Sequence, residues 1–257
     1  MRRLEKHRDS RQDGRRYLLD MNYNSNKSDP AIVIMAKVPR KGAVKTRLKS
    51  ILTDEQCAEL SICFLKDAFN KARKITPNVI VAFTPADGKN EIVSLIPEDI
   101  ILIEQKGNDL GERMNSACSF VESKGFSPII IIGTDSPDLP PEFIISAIES
   151  FENVETKIVL GAAKDGGYYL IGLRRKADGI FENVEWSSAK TYQQTAENAR
   201  RIFYSEPTKI SIWYDVDTPE DLKILYDEFL KNKDFAKNAP ETAKWLKKTA
   251  GGNGNWQ

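Results

Sequence analysis

The sequence predicts an α/β fold, a mainly parallel central sheet flanked by helices with a small antiparallel addition late in the chain. Three observations carry this. Short β-branched runs such as Ile129–Ile132 are too brief for a globular helix and apolar at every position, the mark of a strand buried on both faces. Runs of this kind alternate with amphipathic helical patterns over most of residues 30–230. Finally, Asp165-Gly166-Gly167 separates two apolar runs with strong hairpin-turn chemistry.

In chain order, residues 1–29 are rich in Arg, Asn, Asp and Ser and read as a disordered or non-core extension, compatible with an internal start at Met21. The main domain is expected over 30–232. Its first strand is Ala31–Ala36. Thr53 then opens a long helix, with Gln56 completing a capping box and Leu65, Ala68, Phe69 and Ala72 forming the buried stripe. Strands follow at Val79–Phe83 and Ile100–Glu104. Asp109 caps a helix whose apolar face is Met114, Ala117, Cys118 and Val121. After the isoleucine strand comes a helix with Pro141 near its start and Ile144, Ala147, Ile148 and Phe151 on one face. Strands Lys157–Ala162 and Tyr168–Leu173 flank the Asp-Gly-Gly turn. Ser187 or Ser188 is expected to start a helix running to about Ile202. The last strand, Ile210–Tyr214, leads into a helix with Thr218 as cap and Pro219 at its first position. Residues 233–257 are expected to hold a weak helix, Pro240–Lys248, and a flexible tail.

Composition removes several classes of function. The chain has 257 residues, 40% hydrophobic and 29% charged, with a net charge of +1. This balance gives no basic field for nucleic acid. No apolar segment approaches the roughly 18–20 residues of a membrane span, and the N-terminus lacks the apolar core of a signal peptide. The cytoplasm is therefore the expected location. Cys57, Cys63 and Cys118 have neither disulfide arithmetic nor CxxC spacing and read as buried reduced thiols in helices. The single histidine is His7, in the N-terminal extension. A Ser-His-Asp or Cys-His mechanism and a histidine-based zinc site are thus unavailable unless that extension folds back. Carboxylates, Lys, Arg, hydroxyls, backbone N–H groups and a borrowed metal ion are left to carry the chemistry.

Six segments hold such groups, nearly all at predicted strand carboxyl ends, where open α/β sheets bind ligands. The loop after strand one, KVPRKGAVKTRL, carries Lys37, Gly42, Lys45 and Arg47. It is either a phosphate cradle or a solvated basic loop. Its spacing matches neither a P-loop nor GxGxxG. QKGNDLGERM holds Asp109 and Arg113 and is also readable as a simple loop and cap. Asp135 in GTDSPDLP sits at the tip of the isoleucine strand, where it either caps a turn or faces a divalent cation. Asp215 and Asp217 in DVDTP form a two-acid turn that plain capping would also explain. A haloacid-dehalogenase phosphatase would begin with such a motif, whereas here it lies near the chain's end. Asp165, Gly166, Gly167 and Tyr168 form a hairpin turn or a substrate loop. Trp186, beside Ser187 and Ser188, is a core Trp or part of the same wall.

The six segments MAKVPRKGAVKTRL, QKGNDLGERM, GTDSPDLP, KDGGYYLIGL, FENVEWSS and DVDTPEDL, in that order, resemble a bacterial and archaeal family of small GT-A-fold transferases. That family was long treated as a domain of unknown function and is commonly labelled glycosyltransferase. It is similar to phospholactate guanylyltransferase and the molybdenum-cofactor guanylyltransferase. The resemblance covers roughly Ile32 to Leu230 and implies a GT-A, nucleotide-diphospho-sugar-transferase-like fold. It further implies that Lys45 and Arg47 hold a nucleotide's phosphates, with Lys37 and Gly42 shaping the loop and Asp109 and Arg113 near the nucleotide. Asp135 would be the metal aspartate for Mg²⁺ or Mn²⁺, with Asp217, or Asp215, facing the same ion. Asp165, Gly166, Gly167, Tyr168 and Trp186 would line the sugar or acceptor side, Asp165 being the candidate base. The chain lacks the LAAGxGxR start of sugar-nucleotide pyrophosphorylases, which weakens that relationship.

The expected function is metal-dependent transfer of a sugar from a nucleotide-sugar donor to a small acceptor. The alternatives are guanylyltransferase-like nucleotidyl transfer with release of pyrophosphate, and non-catalytic nucleotide binding.

Overall fold

The computed structural model describes residues 29–250. The expectation for the extension before residue 29, including His7 and Met21, and that for the last seven residues lie outside the described residues. The chain runs β1 (Ala31–Lys37), α1 (Asp54–Arg73), β2 (Val79–Thr84), α2 (Lys89–Val93), β3 (Ile101–Glu104), α3 (Leu110–Ser123), β4 (Ile129–Ile132) and α4 (Pro141–Glu149). It continues with β5 (Ile158–Ala163), β6 (Tyr168–Leu173), α5 (Thr191–Phe203), β7 (Thr208–Trp213), α6 (Pro219–Lys231), α7 (Phe235–Asn238) and α8 (Pro240–Ala250).

The seven strands form one sheet in the order β3-β2-β1-β4-β6-β5-β7. β1 pairs in parallel with β2 and β4, β2 with β3, and β5 with β7, while β6 runs antiparallel to both β4 and β5. The antiparallel strand is thus inserted within the sheet rather than appended to it. Its reversal leaves β5 and β7 aligned with β1–β4, so the loops after β1, β3, β4, β5 and β7 all open at one edge.

The apolar strands bury both faces. Ile32 and Ile34 of β1 pack with Leu65, Ala68, Phe69 and Ala72 of α1 and with Ile144 and Ala147 of α4. Ala31 and Val33, one residue out of phase, join Met114, Ala117, Cys118 and Val121 of α3 and Ala196 and Ala199 of α5. Alternation along a strand places each set on its own face. Burial of each Ile or Leu of this kind contributes about 1.5–3 kcal/mol.

A third cluster lies outside α1. Leu60 and Phe64 of that helix meet Leu222 and Leu225 of α6 and Trp245 and Leu246 of α8. The carboxylate of Asp67 accepts hydrogen bonds from the backbone N–H groups of Glu241 (2.9 Å) and Thr242 (2.8 Å), capping α8 from the side of α1. Thr53 and Thr218 start α1 and α6 with capping boxes to Gln56 and Asp221. Cys57, Cys63 and Cys118 are all free thiols, the first and last buried.

Helix α5 begins at Thr191, later than Ser187 or Ser188. Ser187 is in the left-handed region (φ 58°), and the Ser188 hydroxyl donates to the carbonyl of Glu185 (2.8 Å), so both residues belong to a turn before the helix. Among the described residues, no helix is long and apolar enough to cross a membrane.

Candidate active site

At the shared sheet edge, the loop after β1 is held by its own cations. Lys37 Nζ donates to the carbonyl of Ala43 (2.7 Å), folding back as a brace. The guanidinium of Arg40 reaches Asp87 (3.1 Å) and Glu91 (2.6 Å) near α2. Lys49 pairs with Asp54 (2.9 Å) and Lys41 with Glu55 (3.0 Å), both acids in the first turn of α1. Gly42 turns the loop with φ +74°, and a Cβ there would press on the Asp54 carboxylate at 3.3 Å. Arg47 stays exposed and, among the described residues, makes no ion pair.

Lys45 points the other way. Its backbone is left-handed (φ 47°, ψ 39°), uncommon for a residue with a side chain. That conformation directs its ammonium inward, where its side chain is only 6% exposed. Nζ donates to Asp135 Oδ1 (2.5 Å), Asp217 Oδ1 (3.0 Å) and the carbonyl of Val216 (2.7 Å), so all three donor hydrogens are used. The ring of Phe64 lies 5.2 Å from the same nitrogen. Burial would lower the ammonium's pKa, but the Asp135 and Asp217 carboxylates outweigh it and hold it above the usual lysine value.

The two acidic loops are tied to each other as well. The backbone N–H of Val216 donates to the carbonyl of Asp135 (2.8 Å), and Ser136 Oγ donates to Asp215 Oδ1 (2.5 Å). Burial pushes the Asp215 carboxyl up to about 7, with the charges of Asp135, Asp217 and Asp165 adding and the Ser136 hydrogen bond opposing. Below, Asp138 accepts from the hydroxyl of Tyr214 (2.6 Å) and the indole N–H of Trp213 (3.4 Å). Lys71 Nζ donates to the carbonyl of Pro137 (2.9 Å). Sequence reading gave Ser136, Asp138, Tyr214 and Lys71 no role. Ser136 and Asp138 lie inside the GTDSPDLP segment, which was their only signal.

The remaining candidates are placed less uniformly. Asp165 is exposed at the β5–β6 turn, accepts from the backbone N–H of Gly167 (2.9 Å), and is near enough to act on Asp215. Gly166 lies against the backbone of Ala189, and its carbonyl accepts from the N–H of Tyr192 (3.0 Å). Asp109 caps α3 by accepting from the N–H of Glu112 (2.8 Å), and Arg113 Nε donates to the carbonyl of Gly107 (3.1 Å), both local contacts on the same edge. Tyr168 and Trp186 pack into the α3–α5 face, with the phenol oxygen and indole nitrogen shut off from solvent. The structure therefore gathers Lys45, Asp135, Asp215 and Asp217, with Asp165 close by. It does not bring Tyr168 or Trp186 into that group.

A divalent cation fits the residues present. No group of three or more His, Cys, Asp or Glu side chains among the described residues is arranged to hold a metal unaided. Mg²⁺, however, is commonly held by one or two carboxylates, substrate phosphates and water. Asp135 and Asp217 already share one cationic atom, the Lys45 ammonium, which stands in for such an ion. Both are partly open, at 43% and 40% exposure. Among the described residues, neither second carboxylate oxygen receives a hydrogen bond.

Comparison with known proteins agrees with this architecture. Residues 53–188 match the family described as "Uncharacterized protein conserved in bacteria (DUF2064)". That span contains Asp135 and Asp165, while Lys45, Asp215 and Asp217 lie on either side of it. A solved structure from Desulfovibrio desulfuricans G20, provisionally named a nucleotide-diphospho-sugar transferase, is 30% identical, with a TM-score of 0.79 over 87% of this chain and 96% of that one. A cytidylyltransferase from Leptospira borgpetersenii shares 14% identity and a TM-score of 0.50 over 87% and 96% of the two chains. A 4-diphosphocytidyl-2C-methyl-D-erythritol synthase gives 14% and 0.52 over 78% and 98%. At that identity the last two show the fold alone. With its fold that of the nucleotide-diphospho-sugar transferases and more than half its length within the family match, the chain belongs to the DUF2064 family.

Proposed function

We propose that this protein is a metal-dependent, glycosyltransferase-like enzyme that moves a sugar from a nucleotide-sugar donor to a small acceptor. The observation that carries the reading is the convergence of Lys45 with Asp135 and Asp217, from loops far apart in sequence, at the carboxyl edge of the sheet. The family relationship to a nucleotide-diphospho-sugar transferase supports the class of reaction.

In this reading Asp135 and Asp217 hold Mg²⁺ or Mn²⁺, which when bound supplies neutralisation of the charge on the departing nucleoside diphosphate. Lys45 and Arg47 contribute the same electrostatic stabilisation from the loop after β1, Arg47 having a guanidinium free to reach a phosphate. Lys37 and Gly42 keep that loop in shape. Asp109 and Arg113 flank the nucleotide. Ser136 and Asp215 fix the spacing of the two acidic loops. Asp165 accepts the acceptor's proton, and Gly166 and Gly167 shape its turn; a group in this role typically contributes about 10²–10⁴-fold. Tyr168 and Trp186 form the wall behind that turn, without themselves touching the ligand.

Nucleotidyl transfer is the second reading. It is favoured by the fold shared with two cytidylyltransferase-type enzymes, and the same residues would act on an α-phosphorus. Incubation with a panel of sugar nucleotides and of nucleoside triphosphates, with Mg²⁺ or Mn²⁺, separates the two by product. Nucleoside diphosphate is expected, with turnover abolished by EDTA and reduced about 10²-fold or more by Asp135→Asn. Pyrophosphate release would replace this reading with the second. Nucleotide binding that ignores EDTA, with no turnover, would make the protein a non-catalytic binder.

A further inference from the structure

We propose that the pocket takes its divalent cation only as a complex with a polyphosphate, and binds the free metal ion weakly, because Lys45 already occupies the two carboxylates. This rests on the reading of the site as a metal-and-nucleotide pocket and specifies what enters it.

The ammonium is bound from every side. Its three hydrogens go to Asp135 Oδ1, Asp217 Oδ1 and the carbonyl of Val216, and Phe64 covers it. A free dication has two routes in, and both are unfavourable. It can settle beside the buried ammonium, where like charges repel in a poorly screened setting. Or it can expel the ammonium, which then gives up two carboxylate partners and a carbonyl for water alone. A polyphosphate changes the second route. Its oxygens are acceptors for the released ammonium and ligands for the metal, so the lysine passes from carboxylate to phosphate while the cation takes its place. Each partner then raises the other's affinity, and the coupling is reciprocal.

The backbone suits this hand-over. Lys45 sits in a left-handed conformation immediately before the short 3₁₀ turn Thr46–Ser50. The side chain is long and flexible, so its tip can move between partners without moving the anchored Leu48, which is fully buried.

Equilibrium dialysis of Mn²⁺ against the full-length protein tests this, with and without inorganic pyrophosphate as a base-independent probe. The wild type is expected to retain Mn²⁺ at least about tenfold more tightly with pyrophosphate than without it. Lys45→Met should bind Mn²⁺ alone about tenfold or more tighter than the wild type does, and lose most of the pyrophosphate effect. Lys45→Gly is the second variant, since glycine adopts φ 47° without strain and so guards against a folding defect. If neither variant gains affinity for Mn²⁺ alone, or if the wild type binds free Mn²⁺ as tightly as the complex, the hand-over is wrong while the metal pocket survives. If no protein retains Mn²⁺ even with pyrophosphate, the metal pocket itself falls, and this inference with it.

Discussion

Lys71 and Asp138 are ionisable side chains inside the core, beneath the loop that carries Asp135. Burial pulls the Lys71 ammonium down to about 8, with Asp138 and Asp67 opposing, and it lifts the Asp138 carboxyl above its usual range against the Tyr214 hydrogen bond. For Lys71 the sign follows from linkage. An unfolded lysine titrates near 10.4, so between about pH 8 and 10.4 the unfolded chain holds a proton that the folded one has released. Stability due to this group rises with pH through that window, and below it the folded state carries the whole penalty, about 3 kcal/mol. Denaturant unfolding at stepped pH should therefore show the wild type gaining on Lys71→Met from pH 8 to 10. Parallel curves would refute it. Neither residue announced itself in the sequence. Lys71 looks like a solvated helix lysine, because its partner, the carbonyl of Pro137, is 66 residues away. Asp135 stood out because it ends an apolar strand, whereas Asp217 stood out only through the resemblance of the DVDTPEDL segment, a two-acid turn being equally readable as a plain cap. That Lys45 lies between them was not legible, since a lysine in a basic loop reads as a phosphate ligand whichever way it points.

Among the elements, local chemistry was the most legible where it is self-contained. The Thr53–Gln56 capping box and the Thr218 and Asp109 caps need only four consecutive residues each, and all form, Thr218 gaining a reciprocal bond with Asp221 as well. The start of α5 was misjudged because a neighbouring element decides it. The turn before that helix is pressed against the β5–β6 hairpin, where the Tyr192 N–H meets the Gly166 carbonyl. Gly166 has φ +92°, and a Cβ there would meet the Ala189 carbonyl oxygen at 2.4 Å. Gly166→Ala is thus expected to cost about 1–3 kcal/mol from backbone conformation alone, with the contact added. Urea unfolding reads the loss, and an unchanged midpoint would show that the turn yields freely. The short segments at Ala86–Gly88 and Phe235–Asn238 had no sequence signature long enough to register.

At the scale of the molecule, alternation of strand and helix specified a parallel sheet but not its order. The antiparallel pair was visible in Asp165-Gly166-Gly167, yet nothing local says that β6 inserts between β4 and β5. Long-range pairing decides this. The helix at Pro240–Ala250 was expected as a weak terminal element, since its pattern is short and lysine-rich. In the fold, Trp245 and Leu246 complete the outer cluster on α1 and α6. Leu246→Ala should accordingly cost about 2–5 kcal/mol in chemical denaturation, as a core truncation does, and a loss below 1 kcal/mol would mark the helix as peripheral.

The reversal at β6 has one more effect. Lys45 reaches partners 90 and 172 residues further along, on loops that share an edge because β6 runs antiparallel to both β4 and β5 and so leaves β7 parallel to β4. No fragment ending before β7 contains both acids. A chain cut short before β7 consequently lacks the second carboxylate, and the three-way contact of Lys45 with Asp135, Asp217 and the Val216 carbonyl forms only once that strand has been made and paired.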